Sequence, residues 1–278
     1  MKLTYLGTAA AEGMPAVFCN CDYCRRARVL GGKDIRTRSQ AMIDDVILID
    51  LPADTYHHFL INGIEGDRIQ YLLITHPHGD HLYPEELNMR RSPFAHGMRV
   101  PALDVYCAED SAEKIRAVED IRRVRLHTLK PFDTVLLGDY EVTALPARHM
   151  EGKGEPLFYI VKRDATILYA HDTGYFFDEV FDYIEKKRII FDLVSMDCTN
   201  VDIPISDHGG HMGLPNIARV LARLREMGAI REDTKTVINH FSHNAAPFYD
   251  ELSQRAAKDG MLVSYDGMTV TVGEDAEK

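Results

Sequence analysis

Tryptophan is absent from the 278 residues, cysteine is limited to five, and positive charge is scarce: 32 Lys and Arg stand against 43 Asp and Glu, for a formal charge of −11. Each shortage excludes something. The acidic balance opposes non-specific binding to nucleic acid, which needs clustered Lys and Arg to displace counterions, and favours a small-molecule partner, although a local basic patch would leave nucleic acid open. Three ionised thiols and three bound divalent cations, counted together, would leave the chain acidic. No apolar run approaches the roughly 20 residues that span a bilayer, so no membrane partner is expected. The N-terminus, MKLTYLGTAA, lacks the apolar core of a secretory signal, and the reading is a cytoplasmic protein. In that reducing compartment disulfides are not expected. Long linkers, low-complexity tracts and clean repeats are missing too, and the length suits one large domain or two small ones.

What is present is a series of short β-branched or aromatic runs bounded by polar and turn residues. They predict strands at 2–6, 46–50, 69–75, 103–107, 140–145, 157–162, 165–170, 191–197, 234–239 and 268–272. Several are continuously apolar, as in strands covered on both faces. Helical spacing predicts helices at 110–120, 176–187, 213–227 and 246–258; Ile217, Val220, Leu221 and Leu224 make the clearest stripe, with Gly228 as its stop. Strands dominate the first half and strand–helix alternation the second. The expected architecture is α/β, two sheets face to face with helices outside.

Polar residues recur where these runs end. Asp50 closes VILID, His76 follows IQYLLIT, His149 follows YEVTALPA, His171 and Asp172 follow ATILYA, Asp197 closes FDLVSMD, and His240 follows TKTVIN. Strand ends on one sheet edge can converge on a single cleft. The stretch THPHGDHL packs His76, His78, Asp80 and His81 into six positions, and alternation puts His76 and His78 on one side. Gly79 permits a turn that lets Asp80 and His81 face a second point. Two divalent ions held by nitrogen and oxygen would account for this concentration of polarity.

THPHGDH resembles the signature of the metallo-β-lactamase superfamily, and LID at Asp50, ARH at His149, HDTG at Asp172 and NH at His240 resemble its other motifs in order. The resemblance implies an αββα four-layer sandwich of two mixed β-sheets, formed by residues 1–278 as a single domain. It implies that His76, His78 and His149 hold one ion, that Asp80, His81 and His240 hold the other, that Asp172 bridges both, and that Asp50 orients ligands through hydrogen bonds. Asp50 and Asp80 thus join the catalytic machinery. The two cations could be Zn, Mn, Fe or Ni, and a hydroxide between them would attack phosphorus. The resemblance favours phosphodiester over lactam hydrolysis.

FCNCDYC spaces Cys19, Cys21 and Cys24 as C-x-C-x-x-C, three thiols short of one ligand for a closed zinc site. His243, in NHFSHN, is the candidate fourth, giving a structural zinc and a zinc-binding loop at about 14–30. LGTAAAEGMPAVFCNCDYC resembles two subgroups: the phosphodiesterase that accompanies carbon–phosphorus lyase, PhnP, which opens a phosphoribosyl cyclic phosphate, and the accessory protein PqqB. The intact ligand series favours the PhnP-like subgroup, which also implies a homodimer. That pattern has a proton-donating histidine before the long C-terminal helix; His211 stands there, with His208 as its rival. Competing functions are an RNA-processing nuclease, a thioester or lactone hydrolase, and a non-catalytic metal-binding accessory. His57 and His58 are expected on a short helix, His96 and His127 without partners, His171 in a packing role as readily as at the site, and Cys107 and Cys198 buried.

Overall fold

A computed structural model describes residues 1–150 and 152–273. The expected single domain runs to residue 278, so its last five positions lie outside the described residues. Along the chain come β1 (Lys2–Gly7), α1 (Asp22–Leu30), β2 (Gln40–Ile43), β3 (Ile47–Ile49), α2 (Thr55–Asn62), β4 (Tyr71–Leu73), β5 (Leu103–Cys107), α3 (Glu109–Arg116) and β6 (Val124–Thr128). The second half follows with β7 (Thr134–Leu137), β8 (Tyr140–Pro146), β9 (Leu157–Lys162), β10 (Thr166–Ala170), α4 (Asp178–Lys187), β11 (Phe191–Asp197), α5 (Leu214–Glu226), β12 (Ile230–Asn239), α6 (Tyr249–Ala257), β13 (Met261–Val263) and β14 (Thr269–Thr271).

Two seven-stranded sheets result, in the orders β14-β1-β2-β3-β4-β5-β6 and β13-β12-β11-β10-β9-β8-β7. Both are mixed: β3 to β6 and β10 to β13 pair in parallel, the remaining pairs antiparallel. Alternation sorts the side chains. Tyr5, Ile47, Ile49 and Leu73 meet Tyr159, Ile167, Tyr169 and Val237 between the sheets. Their neighbours Leu6, Leu48 and Leu72 face outward onto Phe59 of α2 and Ala112 and Ile115 of α3. On the far side Leu168, Val194 and Ile238 pack against α4, α5 and α6 through Phe181, Ile184, Ile217, Val220, Leu221, Leu224, Leu252 and Ala256. Each large side chain so buried stabilises the fold by about 1.5–3 kcal/mol. The four layers are therefore the expected αββα sandwich. In α5 the expected stop holds: Gly228 has φ +70°, and Ala229 N–H returns to Leu224 O at 2.8 Å.

The differences from expectation lie in short elements. The second half of the expected loop at 14–30 is helical, as α1. β2, β6, β7 and β13 carry no signal separable from loops, because three to five residues show too little periodicity. The first half also alternates strand and helix, since α2 and α3 are its crossovers. Among the described residues no helix is long and apolar enough to cross a membrane.

Candidate metal centre

Parallel strands deliver their C-terminal ends to one edge of the sandwich, and the polar residues sit there. Asp50 follows β3, His76 to His81 follow β4, His149 lies just past β8, Asp172 follows β10, Asp197 ends β11 and His240 follows β12. Asp50, Asp172 and His240 each take a left-handed backbone, with φ of +66°, +51° and +65°. Such conformations persist where surroundings over-determine them, and they turn each side chain out of its strand.

The side chains form overlapping donor sets. Ligand atoms of His76, His78 and His149 lie within 4.8 Å of one another, and so do those of Asp80, His81 and His240. Asp172 stands between: its Oδ1 is 3.9 Å from His149 Nε2, while Oδ2 is 2.8 Å from His81 Nε2 and 2.9 Å from His240 Nε2. None of those last contacts has hydrogen-bond geometry, and Asp172 Oδ2, His81 Nε2 and His240 Nε2 are buried without a partner. Orphaned buried polar atoms are costly and rare. The other ring nitrogens explain the arrangement. His81 Nδ1 donates to Asp50 Oδ2 at 2.7 Å, and His240 Nδ1 is 2.7 Å from Thr199 Oγ1. With Nδ1–H so engaged, each Nε2 aims a lone pair at a carboxylate, which a cation between them would turn into ligation. The residues present fit a pair of divalent ions.

Electrostatics agree. Burial pushes the pKa of His76 well below its usual value, and that of His149 down as well, which keeps both neutral as ligands must be. Burial disfavours a charged His81, yet Asp172 and Asp50 together hold its pKa well above the usual value, so the space between its Nε2 and Asp172 draws positive charge, a proton where no cation is bound. Burial likewise opposes a charged Asp172, but His240 and His81 outweigh it and its pKa falls well below the carboxylate range. Asp50 is fully buried; its Oδ1 accepts from Thr75 N–H at 2.8 Å and from Thr75 Oγ1 at 3.0 Å. Lys114 of α3 brackets the histidine loop, donating to Pro77 O at 2.8 Å and Leu82 O at 2.7 Å.

His211 joins the cluster from the loop before α5. Its Nδ1 lies 3.0 Å from Asp197 Oδ2, and its ring stacks on His240 and meets His149 edge-on at 4.8 Å. Burial alone would lower its pKa, but Asp197 and then Asp172 raise it to about 9. His208 is exposed and makes no hydrogen bond to the cluster. The loop is docked by backbone: a Cβ on Gly174 would lie 1.8 Å from Gly209 O, and His149 Nδ1 is 3.1 Å from Gly210 O. Only glycine permits that approach.

The thiols gather elsewhere. Cys19, Cys21, Cys24 and His243 place their ligand atoms within 4.8 Å, with Cys24 Sγ 3.4 Å and Cys21 Sγ 3.8 Å from His243 Nδ1. Backbone N–H groups point at the sulfurs: Cys24 N–H to Cys21 at 3.4 Å, Cys21 N–H to Cys19 at 3.5 Å and Ala16 N–H to Cys24 at 3.4 Å. The donated N–H of Cys24, then His243, lower the Cys21 thiol to about 6, whereas burial lifts Cys24 to about 11. The set fits one tetrahedral ion.

All eleven expected ligands thus fall into two clusters, and His211 rather than His208 stands at the first. His171 is a core residue: Nε2 is 2.7 Å from Ser195 Oγ, Asn239 donates to Nδ1 at 3.1 Å, and burial holds its pKa down at about 3. His57 and His58 lie on α2 as expected, and Cys107 and Cys198 are buried. His96 reaches only the Pro93 carbonyl, but His127 does have a partner, Asp104 at 2.9 Å. Asp197 stands at the site, in keeping with its place at a strand end, and Thr75 opens the THPHGDH stretch. Thr199 and Lys114 carry no such signal.

The chain matches the beta-lactamase superfamily domain over residues 47–240 and belongs to that family. It is similar to a ribonuclease Z of Picosynechococcus sp. (29% identity over 155 residues, 54% of this chain and 44% of the relative) and to a UPF0173 metal-dependent hydrolase of Thermofilum pendens (30% over 168 residues, 59% and 62%). The matched region therefore spans only about half the length of such curated relatives. Among solved structures, a new diphosphatase from the PhnP family superposes with TM-score 0.74 at 21% identity, covering 98% of this chain and 97% of the other. Zinc-bound PqqB from Methylobacterium extorquens does so with TM-score 0.74 at 17%, covering 98% and 100%. Human tRNase Z, short form, gives 0.66 at 17%, covering 98% and 99%. These likenesses establish the metallo-β-lactamase fold.

Proposed function

We propose that the chain is a metal-dependent hydrolase, PhnP-like, that cleaves a small phosphodiester, cyclic and phosphoribosyl-type substrates included. The observation that carries the reading is Asp172, buried between two donor sets with its Oδ2 facing two imidazole nitrogens and making no hydrogen bond. His76, His78 and His149 would hold one cation; Asp80, His81 and His240 the other; Asp172 would face both. Bound divalent cations (Zn, Mn, Fe or Ni) would supply charge neutralisation at phosphoryl oxygens and an acidified water. The chain's own residues do the rest. Asp50 orients His81. Asp197 engages Nδ1 of His211, leaving the other end of that ring to hand a proton to the departing alkoxide, a poor leaving group that needs one. Cys19, Cys21, Cys24 and His243 would hold a structural zinc. The formal charge of −11 supports a small substrate over a polynucleotide, and five free cysteines suit a cytoplasmic location.

A nuclease reading has the ribonuclease Z similarity in its favour. The deciding experiment offers metal-reconstituted protein aryl phosphodiesters, cyclic phosphates, phosphomonoesters, thioesters, lactones and a tRNA precursor. Turnover of the diesters and cyclic phosphates is expected. Turnover confined to tRNA, thioester or lactone would overturn the reading. Elemental analysis separates it from an accessory role: about three metals per chain is expected, one would argue for the accessory.

A further inference from the structure

Beneath the centre lies a buried polar chain that the mechanism above does not use. Gln40 and His58 are fully buried, one on β2 and the other on α2. Gln40 Nε2 donates to the Asp50 carbonyl at 2.9 Å and to Thr55 Oγ1 at 3.0 Å. Gln40 Oε1 lies 2.6 Å from His58 Nδ1, and His58 Nε2 lies 2.7 Å from Thr37 Oγ1. A Cβ on Gly7 would come within 2.9 Å of His58 Cε1, so the ring occupies space that a glycine leaves open.

Counting protons fixes the direction of every hydrogen bond that the Gln40 side chain makes. Thr55 Oγ1 spends its hydrogen on Pro52 O at 2.6 Å, so toward Gln40 it can only accept. The Asp50 carbonyl can also only accept. Both therefore require the NH2 end of Gln40, which turns Oε1 toward His58. His58 must then donate from Nδ1. On its other side His58 Nε2 meets Thr37 Oγ1 at 2.7 Å, and that hydroxyl donates to Asp266 Oδ2 at 2.5 Å, as does the Thr37 N–H at 2.6 Å. With the opposite tautomer of His58, Gln40 would flip and set its own oxygen against the Asp50 carbonyl.

We propose that Gln40, locked by His58, is a positioning residue for the candidate metal centre: it pins the Asp50 carbonyl, holds that residue in its left-handed turn, and so aims its carboxylate at His81. The inference rests on the two-cation reading of the site. Gln40 touches none of the proposed ligands and acts only through Asp50.

The test is Co²⁺ titration of the full chain, followed by the visible absorption of the bound ion and by competition with a chelator. The Cys19–Cys21–Cys24–His243 cluster serves as internal reference through its separate thiolate-to-metal absorption. In Gln40→Leu and in the isosteric Gln40→Glu, cobalt affinity at the imidazole–carboxylate centre falls tenfold or more, while the thiolate signal is unchanged. ¹⁵N NMR of the unsubstituted protein at neutral pH, which needs no variant to fold, shows the Nδ1–H tautomer of His58. An Nε2–H tautomer, unaltered cobalt affinity in both variants, or equal loss of both cobalt signals would overturn the proposal. If the unsubstituted chain takes up cobalt at the thiols alone, the two-cation reading itself falls and the proposal with it.

Discussion

The two donor clusters stand on opposite ground. The imidazole–carboxylate cluster grows from the ends of buried strands in both sheets, and most of its members are inaccessible. The thiol cluster grows from a surface loop and the first turn of α1, with Cys21 exposed and only Cys24 buried. In the first, ligand orientation is set before any ion arrives: Asp50 and Thr75 hold His81, Thr199 holds His240, the Gly210 carbonyl meets His149, and Lys114 clamps the loop. In the second, three N–H···S contacts are the main order, and an ion would supply the rest. Preorganisation suits chemistry at a fixed geometry; self-assembly around an ion suits a staple. The clusters meet in one short stretch, where His240 serves the first and His243 the second. Phe241, between them, is pinned to Thr8 O at 2.9 Å and stacks under Arg36.

That contrast can be broken by substitution. His78→Ala, at an exposed position, is expected to abolish phosphodiester turnover with little change in melting temperature. Cys21→Ser is expected to do the reverse, removing one metal per chain and lowering the melting temperature while turnover stays within an order of magnitude. Elemental analysis and thermal melts check both; loss of turnover in Cys21→Ser would erase the distinction. His211→Ala is expected to cost about 10²–10⁴ in kcat on an alkyl diester or cyclic phosphate, whose leaving group is an alkoxide, and less on an aryl diester, whose leaving group is a stable phenolate. An equal loss on both substrates would remove the proton-donor role. Asp50→Asn, which keeps the shape and loses the charge facing His81, is expected to weaken metal binding about 10–100-fold without touching the thiolate ion. Equilibrium dialysis measures this.

The smallest effect concerns His58, which supports only the buried cluster. Burial holds its folded pKa down at about 4, against an ordinary 6.5; Asp54 pulls up and His57 down, each more weakly. The unfolded chain therefore binds the extra proton. The contribution is fully present above pH 6.5 and is lost as pH falls through 4, on the order of 3 kcal/mol over that window. Urea unfolding across pH 4–7 is expected to show this loss in the unsubstituted chain and a flatter dependence in His58→Phe.

The donor residues were legible for different reasons. The thiols and the THPHGDH stretch announce themselves by local spacing. Asp50, His149, Asp172 and His240 were legible because each closes an apolar run, and such runs predict strands. What held no signal was the support. Thr199, Lys114 and Gln40 are ordinary residue types in ordinary surroundings along the chain. Their roles come from partners that are distant in sequence, such as Lys114 with Pro77 or Thr199 with His240. α1 is hard to tell from loop in the sequence because a nine-residue helix beside a cysteine cluster offers little periodicity. Nothing near His58 in sequence tells a buried relay from a surface helix; burial and Gly7 decide that.

The order of apolar runs and terminal polar residues determined by itself the layered sheets, the edge on which the polar groups collect, and the separation of nitrogen–oxygen from sulfur donors. These follow from local periodicity and chemical softness. Only the tertiary structure decided which nitrogen of each imidazole faces inward, which of two histidines stands beside Asp197, and how Gln40 reaches the carbonyl of Asp50. Hydrogen-bond direction and burial are set by neighbours that the folded chain alone brings together.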